Sequence, residues 1–288
     1  MIEKTIFITK ISNLKFVNSR YKRLYFGNEF CEKLIPQLNE LKKAIRYCER
    51  NKLKFSLVTP YVTNRGIDNL DKLFLWLQNN KMNCEIIIND YGVLDLINEE
   101  YQTLQPVLGR LLTKQKRDPR ITNLTEVKPR KHKFFKMDGE YFIVLAKKAP
   151  DALASFFKDS NVNVPIIQSF VRSYGIARVE IDNLLQGINL RIPRDSLSVS
   201  LYVPYGYITT TRLCTADPFR NIEKFSCRIS SCGKQCQRYI IELRNKDMPK
   251  RIYKKGNTLF FKNRKVSSHR ELIKIGINRL VYQPEIPV

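Results

Sequence analysis

Four cysteines, Cys214, Cys227, Cys232 and Cys236, fall within twenty-three residues in the run RLCTADPFRNIEKFSCRISSCGKQCQRY. Thiolate sulfur is the ligand that holds zinc or an iron–sulfur cluster, and four thiols this near in sequence can converge on one soft metal centre. The gaps between them are twelve, four and three residues. Structural zinc usually shows two Cys-x2-Cys knuckles, which this spacing lacks, so the irregular gaps favour an iron–sulfur cluster, with zinc as the alternative. A disulfide framework needs an oxidising compartment, yet the chain opens MIEKTIFITK, with neither a charged-then-apolar leader nor a small-residue cleavage site. The other three cysteines, Cys31, Cys48 and Cys84, are scattered through the first half and read as buried thiols.

Other residue types suit acid–base or anion chemistry. Glu180 and Asp182 end the run RVEID, and strand alternation puts both carboxylates on one side, the best placed in the chain for proton transfer. Asn89 and Asp90 close CEIIIND, where Asp90 either faces an active-site mouth or caps the next helix. Arg110, Lys114, Lys116, Arg117 and Arg120 follow QPVLG; guanidinium forks there could bind a carboxylate or phosphate, and the plain alternative is a solvated basic loop. Tyr202, Tyr205 and Tyr207 precede Cys214, as core aromatics or as a stacking surface for an aromatic substrate or base. The two histidines, His132 and His269, read as surface residues. With no HExxH and no GxSxG, peptidase chemistry finds little support.

These residues must be positioned by alternating strands and helices. TIFITKI opens the chain as a strand. RLYFG, KFSLVTPYV, CEIIINDYG and QPVLGRLL read as four further strands, and the helices between them carry apolar residues at helical spacing: Leu34, Leu38, Leu41, Ala44 and Ile45 in the first, then Leu70, Leu73, Phe74 and Leu77 in the second. GIARVEIDN, SLSVSLYVPYG, TLFFKN and NRLVYQP continue less regularly, with helices in PIIQSFVRSYG and RELIKIG. Counted from RLYFG this makes eight strands, which predicts a TIM-barrel-like (β/α)8 fold, irregular in its second half, spanning residues 1–288 as one domain. An open doubly wound sheet is the competing architecture, and it lacks its GxGxxG signature here. The basic stretch from Thr113 to Lys136 reads as a long loop.

The net charge is +24 over 288 residues, and it is concentrated. Residues 110–136 hold ten Lys or Arg against two acids, and residues 244–270 hold ten against one. Such an excess fits an anionic small molecule or RNA as partner, or else solvated lysine-rich faces. No apolar run approaches a bilayer-crossing length, so membrane insertion is not expected and a cytoplasmic location is.

The runs CEIIINDYGVLDLI and QPVLGRLLTKQKRDPRI, with LYFGNEFCEKL near the start and GINRLVYQPEIP at the end, resemble the U32 family, originally labelled peptidases. The resemblance covers most of residues 20–288, and LGRLLTKQKRDPR is its most specific part. It implies a barrel-like α/β fold and a [4Fe–4S] cluster on four cysteines, in an enzyme or enzyme subunit of oxygen-independent hydroxylation acting on an aromatic or quinone precursor or on an RNA base. A second U32-type subunit is an implied partner. Cys214 followed after twelve residues by Cys227 is similar to the ubiquinone-type spacing, and Cys31 is similar to an N-terminal cysteine that serves as a ligand there. Five candidates thus compete for four places, with the four local cysteines favoured and Cys31 as the substitute. An RNA-binding accessory protein with a structural metal, and a U32-type peptidase, are the alternative readings.

Overall fold

The computed structural model describes residues 2–122, 131–146, 149–193, 196–212, 214, 232–244, 248 and 250–288, with the backbone alone for 131–135 and 141–146. Five strands open the chain: β1 (Glu3–Ile8), β2 (Arg23–Gly27), β3 (Lys54–Val58), β4 (Glu85–Ile88) and β5 (Gln105–Leu108). Helices α1 (Leu38–Arg50), α2 (Asn64–Asn79) and α3 (Tyr91–Glu100) connect the last four. A hairpin of β6 (Lys131–Met137) and β7 (Glu140–Ala146) follows, then α4 (Asp151–Phe156) and α5 (Pro165–Ser173). The remaining elements are β8 (Arg178–Asp182), β9 (Ser198–Val203), β10 (Tyr205–Thr210), β11 (Ile241–Leu243), β12 (Ile252–Lys255), β13 (Thr258–Lys262), α6 (His269–Lys274) and β14 (Ile277–Tyr282).

Eight parallel strands close into a barrel in the order β1-β14-β9-β8-β5-β4-β3-β2, the (β/α)8 class expected from the alternation. The count agrees with the sequence reading and the membership does not. TLFFKN is β13, and it lies in a separate antiparallel sheet, β10-β13-β12-β11. Its barrel place is taken by the opening strand TIFITKI, which pairs on one side with β14, from Glu3 opposite Arg279, and on the other with β2, from Thr5 opposite Arg23. A buried strand reads the same in a barrel or in a cap, so composition could not separate them. The basic loop expected from Thr113 to Lys136 also ends early, because β6 begins at Lys131 and pairs antiparallel with β7.

Each strand sorts its side chains by alternation. Ile6, Leu24, Leu57, Ile86, Val179, Val199 and Leu201 face outward into one core with the helices, which contribute Leu41, Ala44, Ile45 and Cys48 from α1 and Leu70, Leu73, Phe74 and Leu77 from α2. Burial of each large aliphatic chain is worth about 1.5–3 kcal/mol. Phe7, Tyr25, Val58, Ile87, Val107, Tyr202 and Val281 face inward and form a second core on the barrel axis. The four-stranded sheet closes over the C-terminal ends of the barrel strands. There Phe30, Leu111, Tyr207, Cys236, Phe260, Ile286 and Val288 make a third core between barrel and cap. Among the described residues no helix is long and apolar enough to cross a membrane.

Candidate functional site

The third core brings one of the clustered cysteines to the C-terminal mouth of the barrel, the end at which TIM barrels carry their chemistry. Cys236 is buried there, while Cys214 and Cys232 are exposed and Cys31, in the loop after β2, is partly buried. Cys227 lies outside the described residues. None of Cys31, Cys48, Cys84, Cys214, Cys232 and Cys236 is joined in a disulfide.

The turn between β12 and β13 gathers the cysteine-bearing segments. Gly256 adopts φ +61°, and a Cβ on it would stand 3.1 Å from Cys236 Cβ and 3.1 Å from Val288 Cγ1, so this position suits a residue without a side chain. The next residue, Asn257, directs its Nδ2 to the carbonyl of Phe30 at 2.6 Å, to the carbonyl of Thr211 at 2.6 Å and to the Tyr61 hydroxyl at 2.8 Å. Phe30 precedes Cys31, and Thr211 lies three residues before Cys214. Asn28 Oδ1 then accepts from the amides of Phe30 and Cys31, both at 2.9 Å, which fixes the turn carrying the thiol.

The four thiols share one electrostatic field. Burial pushes the Cys31 thiol up to about 11, and the Cys236, Cys232 and Cys214 thiols push the same way. Cys236 is likewise raised, first by burial, with Cys232 adding to it. Among the described residues, though, no three His, Cys, Asp or Glu side chains stand close enough together to hold a metal ion as they are. Lys255 is buried beside Cys236, its Nζ donating to the Ile286 carbonyl at 2.7 Å. Burial lowers its pKa to about 8, against the opposing pull of Glu285.

Beneath the thiols the barrel holds two ion networks. At the mouth, Arg110 is wholly buried and its guanidinium is fully engaged, with Nη2 2.6 Å from Glu29, Nη1 2.7 Å from Asp182 and Nη1 2.9 Å from the Tyr205 carbonyl. Arg117 Nε meets the other Asp182 oxygen at 2.6 Å. Burial disfavours the Arg110 charge, but Glu29 and Asp182 outweigh it and raise its pKa; Glu29 itself is raised by burial despite Arg110. Deeper in the barrel, Arg279 grips Glu85 through two bonds of 2.6 and 2.9 Å and donates to the Tyr25 hydroxyl at 2.6 Å. Tyr25 in turn donates to Glu180 Oε1 at 2.9 Å. Burial pushes the Glu180 carboxyl up to about 7, against the pull of Arg279 and Arg178.

Most of the residues singled out in the sequence therefore have a definite place. Glu180 and Asp182 both point into the barrel as alternation requires, one with a raised pKa and one clamped by two arginines. Asp90 is the cap of α3: its Oδ1 accepts from Gly92 N at 2.8 Å and its Oδ2 from Val62 N at 3.1 Å. The Arg110 and Arg117 forks are occupied by the protein's own carboxylates, and Arg120 pairs at the surface with Asp118. Lys114 Nζ donates to the Leu111 carbonyl at 3.3 Å. Tyr202 and Tyr207 are buried. His269 opens α6 as an exposed residue; the His132 side chain is outside the described ones. Asn257, Lys255, Glu29, Tyr25 and Arg279 escaped the sequence reading. For Arg279 the signal was present, as a charge in the apolar strand INRLVY.

No protein-family model matches this chain, and no curated protein does. Two solved structures are similar in shape. The U32 peptidase Mk0906 aligns over 100% of this chain and 95% of its own, with 10% identity and a TM-score of 0.44. SuiB of Streptococcus suis, in a crystal structure with S-adenosylmethionine bound, aligns over 69% of this chain and 44% of its own, with 11% identity and a TM-score of 0.29. Likenesses this distant carry no argument about activity, which must be read from the residues themselves.

Proposed function

We propose that this chain is an iron–sulfur protein of the U32 type, an enzyme or enzyme subunit taking part in oxygen-independent hydroxylation of an aromatic or quinone precursor or an RNA base. The observation that supports the proposal is that Cys31 lies within electrostatic reach of Cys236, Cys232 and Cys214. Thiols from two distant stretches of sequence act on one another near the end where a barrel presents its chemistry, and a set of four thiolates suits a [4Fe–4S] cluster or zinc. Cys31, Cys214, Cys232 and Cys236 are the proposed ligands, and Cys227 is the fifth thiol. A bound cluster supplies electron transfer or a site for a substrate oxygen. The protein's part is to hold the thiols against the cap, with Lys255 beside Cys236 to offset their negative charge, and to offer Glu180 as a buried carboxyl whose pKa suits proton transfer near neutrality.

Anaerobic purification of Cys31→Ser and Cys227→Ser tests the ligand set. Iron and sulfide are expected to be lost from the first variant and kept in the second. The reverse result would return the site to the four local cysteines, and stoichiometric zinc in the parent protein would remove the cluster.

A further inference from the structure

Six buried side-chain atoms have no hydrogen-bond partner within the protein among the described residues: Thr9 Oγ1, Asn28 Nδ2, Glu180 Oε2, Tyr202 Oη, Arg279 Nε and Gln283 Nε2. Arg279 Nε is still ion-paired, 3.1 Å from Glu3 Oε1. The six are not scattered. They lie on β8, β9 and β14 and just past the ends of β1, β2 and β14, which are contiguous in the barrel order. On the opposite arc the groups past β3 and β4 are satisfied: Thr59 Oγ1 donates to the Ile87 carbonyl at 2.9 Å, and Asn89 donates to the Thr59 carbonyl at 2.8 Å and accepts from Leu111 N at 3.1 Å.

Register lines these atoms up along the barrel axis. Asp182 pairs with Tyr202, so Glu180, two residues below Asp182 on the same inward face, is the diagonal neighbour of Tyr202. Tyr202 pairs with Val281, which places Gln283 two residues nearer the mouth on that face. Val281 also pairs with Thr5, and Thr9 follows on the same side of β1's line. The Tyr202 hydroxyl stands in the fields of Glu180 and Glu29, one from the interior network and one from the mouth. A buried polar atom without a partner is destabilising, and natural proteins meet such clusters with ordered water.

We propose that a file of internal water molecules runs from Glu180 past Tyr202 to Gln283 and Thr9 at the barrel mouth, and that it carries protons between the Glu180 carboxyl and the mouth. Glu180 has one partner of its own, Tyr25, and its second oxygen opens the file. The charged and titratable groups facing it are Arg279, Arg178, Glu85 and Tyr25, with Tyr202 above. Burial holds Glu180 protonated into the neutral range, so it has a proton to give at physiological pH. The file links this interior carboxyl to the mouth beneath the four-stranded sheet. The inference is independent of the thiol site.

Infrared difference spectra between the parent protein and Glu180→Gln, taken in H2O and D2O, isolate the C=O stretch of a protonated Glu180. The band is expected below neutral pH, to vanish above it, and to shift on transfer to D2O far faster than the protein globally opens. In Tyr202→Phe, which keeps the ring and removes the hydroxyl, that exchange slows towards the rate of global opening, and the melting temperature falls because a bridged partner is lost. A band that exchanges only on global opening, no protonated band at any pH in the folded protein, or a Tyr202→Phe variant more stable than the parent would each overturn the proposal. The last outcome would mean that the hydroxyl had been buried dry.

Discussion

Inside the barrel, Arg110 donates to Glu29, Asp182 and the Tyr205 carbonyl, and Arg279 to Glu85 and Tyr25, so each guanidinium is matched by acceptors on strands or, for Glu29, just past the end of β2. At the cap, the Cys31, Cys214, Cys232 and Cys236 thiols are carried by loops and a short turn, and two of the four face solvent. The interior spends most of its charged groups on one another. The cap holds thiols that act on each other's charge. Charge alone is thus a poor guide to a binding site here. The first basic window is partly structural, through Arg110 and Arg117, and the proposed site lies where thiols collect.

The comparison predicts different consequences for damage in the two regions. Asp182→Asn leaves the Arg110 and Arg117 charges without their shared partner in a buried site, and a loss of ~3–5 kcal/mol in unfolding free energy is expected from urea titration. Retention of parental stability would show that Glu29 alone suffices.

Glu180→Gln acts through pH. The folded carboxyl titrates at about 7 against a usual value of 4.5. Between those values the folded state binds a proton that the unfolded state has released, so this group's contribution falls as pH rises and levels off above about 7. The loss across that window is ~3 kcal/mol, and the Gln variant should abolish it, giving a flatter stability profile between pH 4.5 and 7. Parallel profiles for the two proteins would place Glu180 in the ionised state throughout.

Removal of the α3 cap in Asp90→Ala is expected to cost ~1 kcal/mol, read as a fall in melting temperature with the fold unchanged. Arg120→Ala should not move the melting temperature measurably, since its pair with Asp118 is solvent-exposed. A clear drop there would mean that the surface part of the basic window is also structural.

How far the chain could be read follows from the same contrast. Helix α2 was legible because Leu70, Leu73, Phe74 and Leu77 recur at helical spacing, and β4 because CEIII has the length and branching of a buried strand. The barrel followed from their alternation. Assignment of β13 to the barrel failed because TLFFK in a cap and in a barrel is equally apolar, and the pairing that separates them is long-range. For Arg110 the difficulty was one of distance in sequence: Glu29 is eighty-one residues away, and nothing local to QPVLGRLL announces the pair. Cys31 entered only through the family resemblance, as the substitute ligand. Spacing could display four neighbouring cysteines, but only the folded chain brings the loop after β2 to the turn at Gly256 and Asn257.

The most direct test of the account is the metal content and visible absorption of the parent protein purified without oxygen. A brown protein with iron and sulfide in four-to-four proportion, lost on Cys31→Ser and Cys236→Ser and kept on Cys84→Ser, is the result predicted for a [4Fe–4S] cluster on cap thiols. A colourless protein, or iron that survives Cys31→Ser, would contradict it.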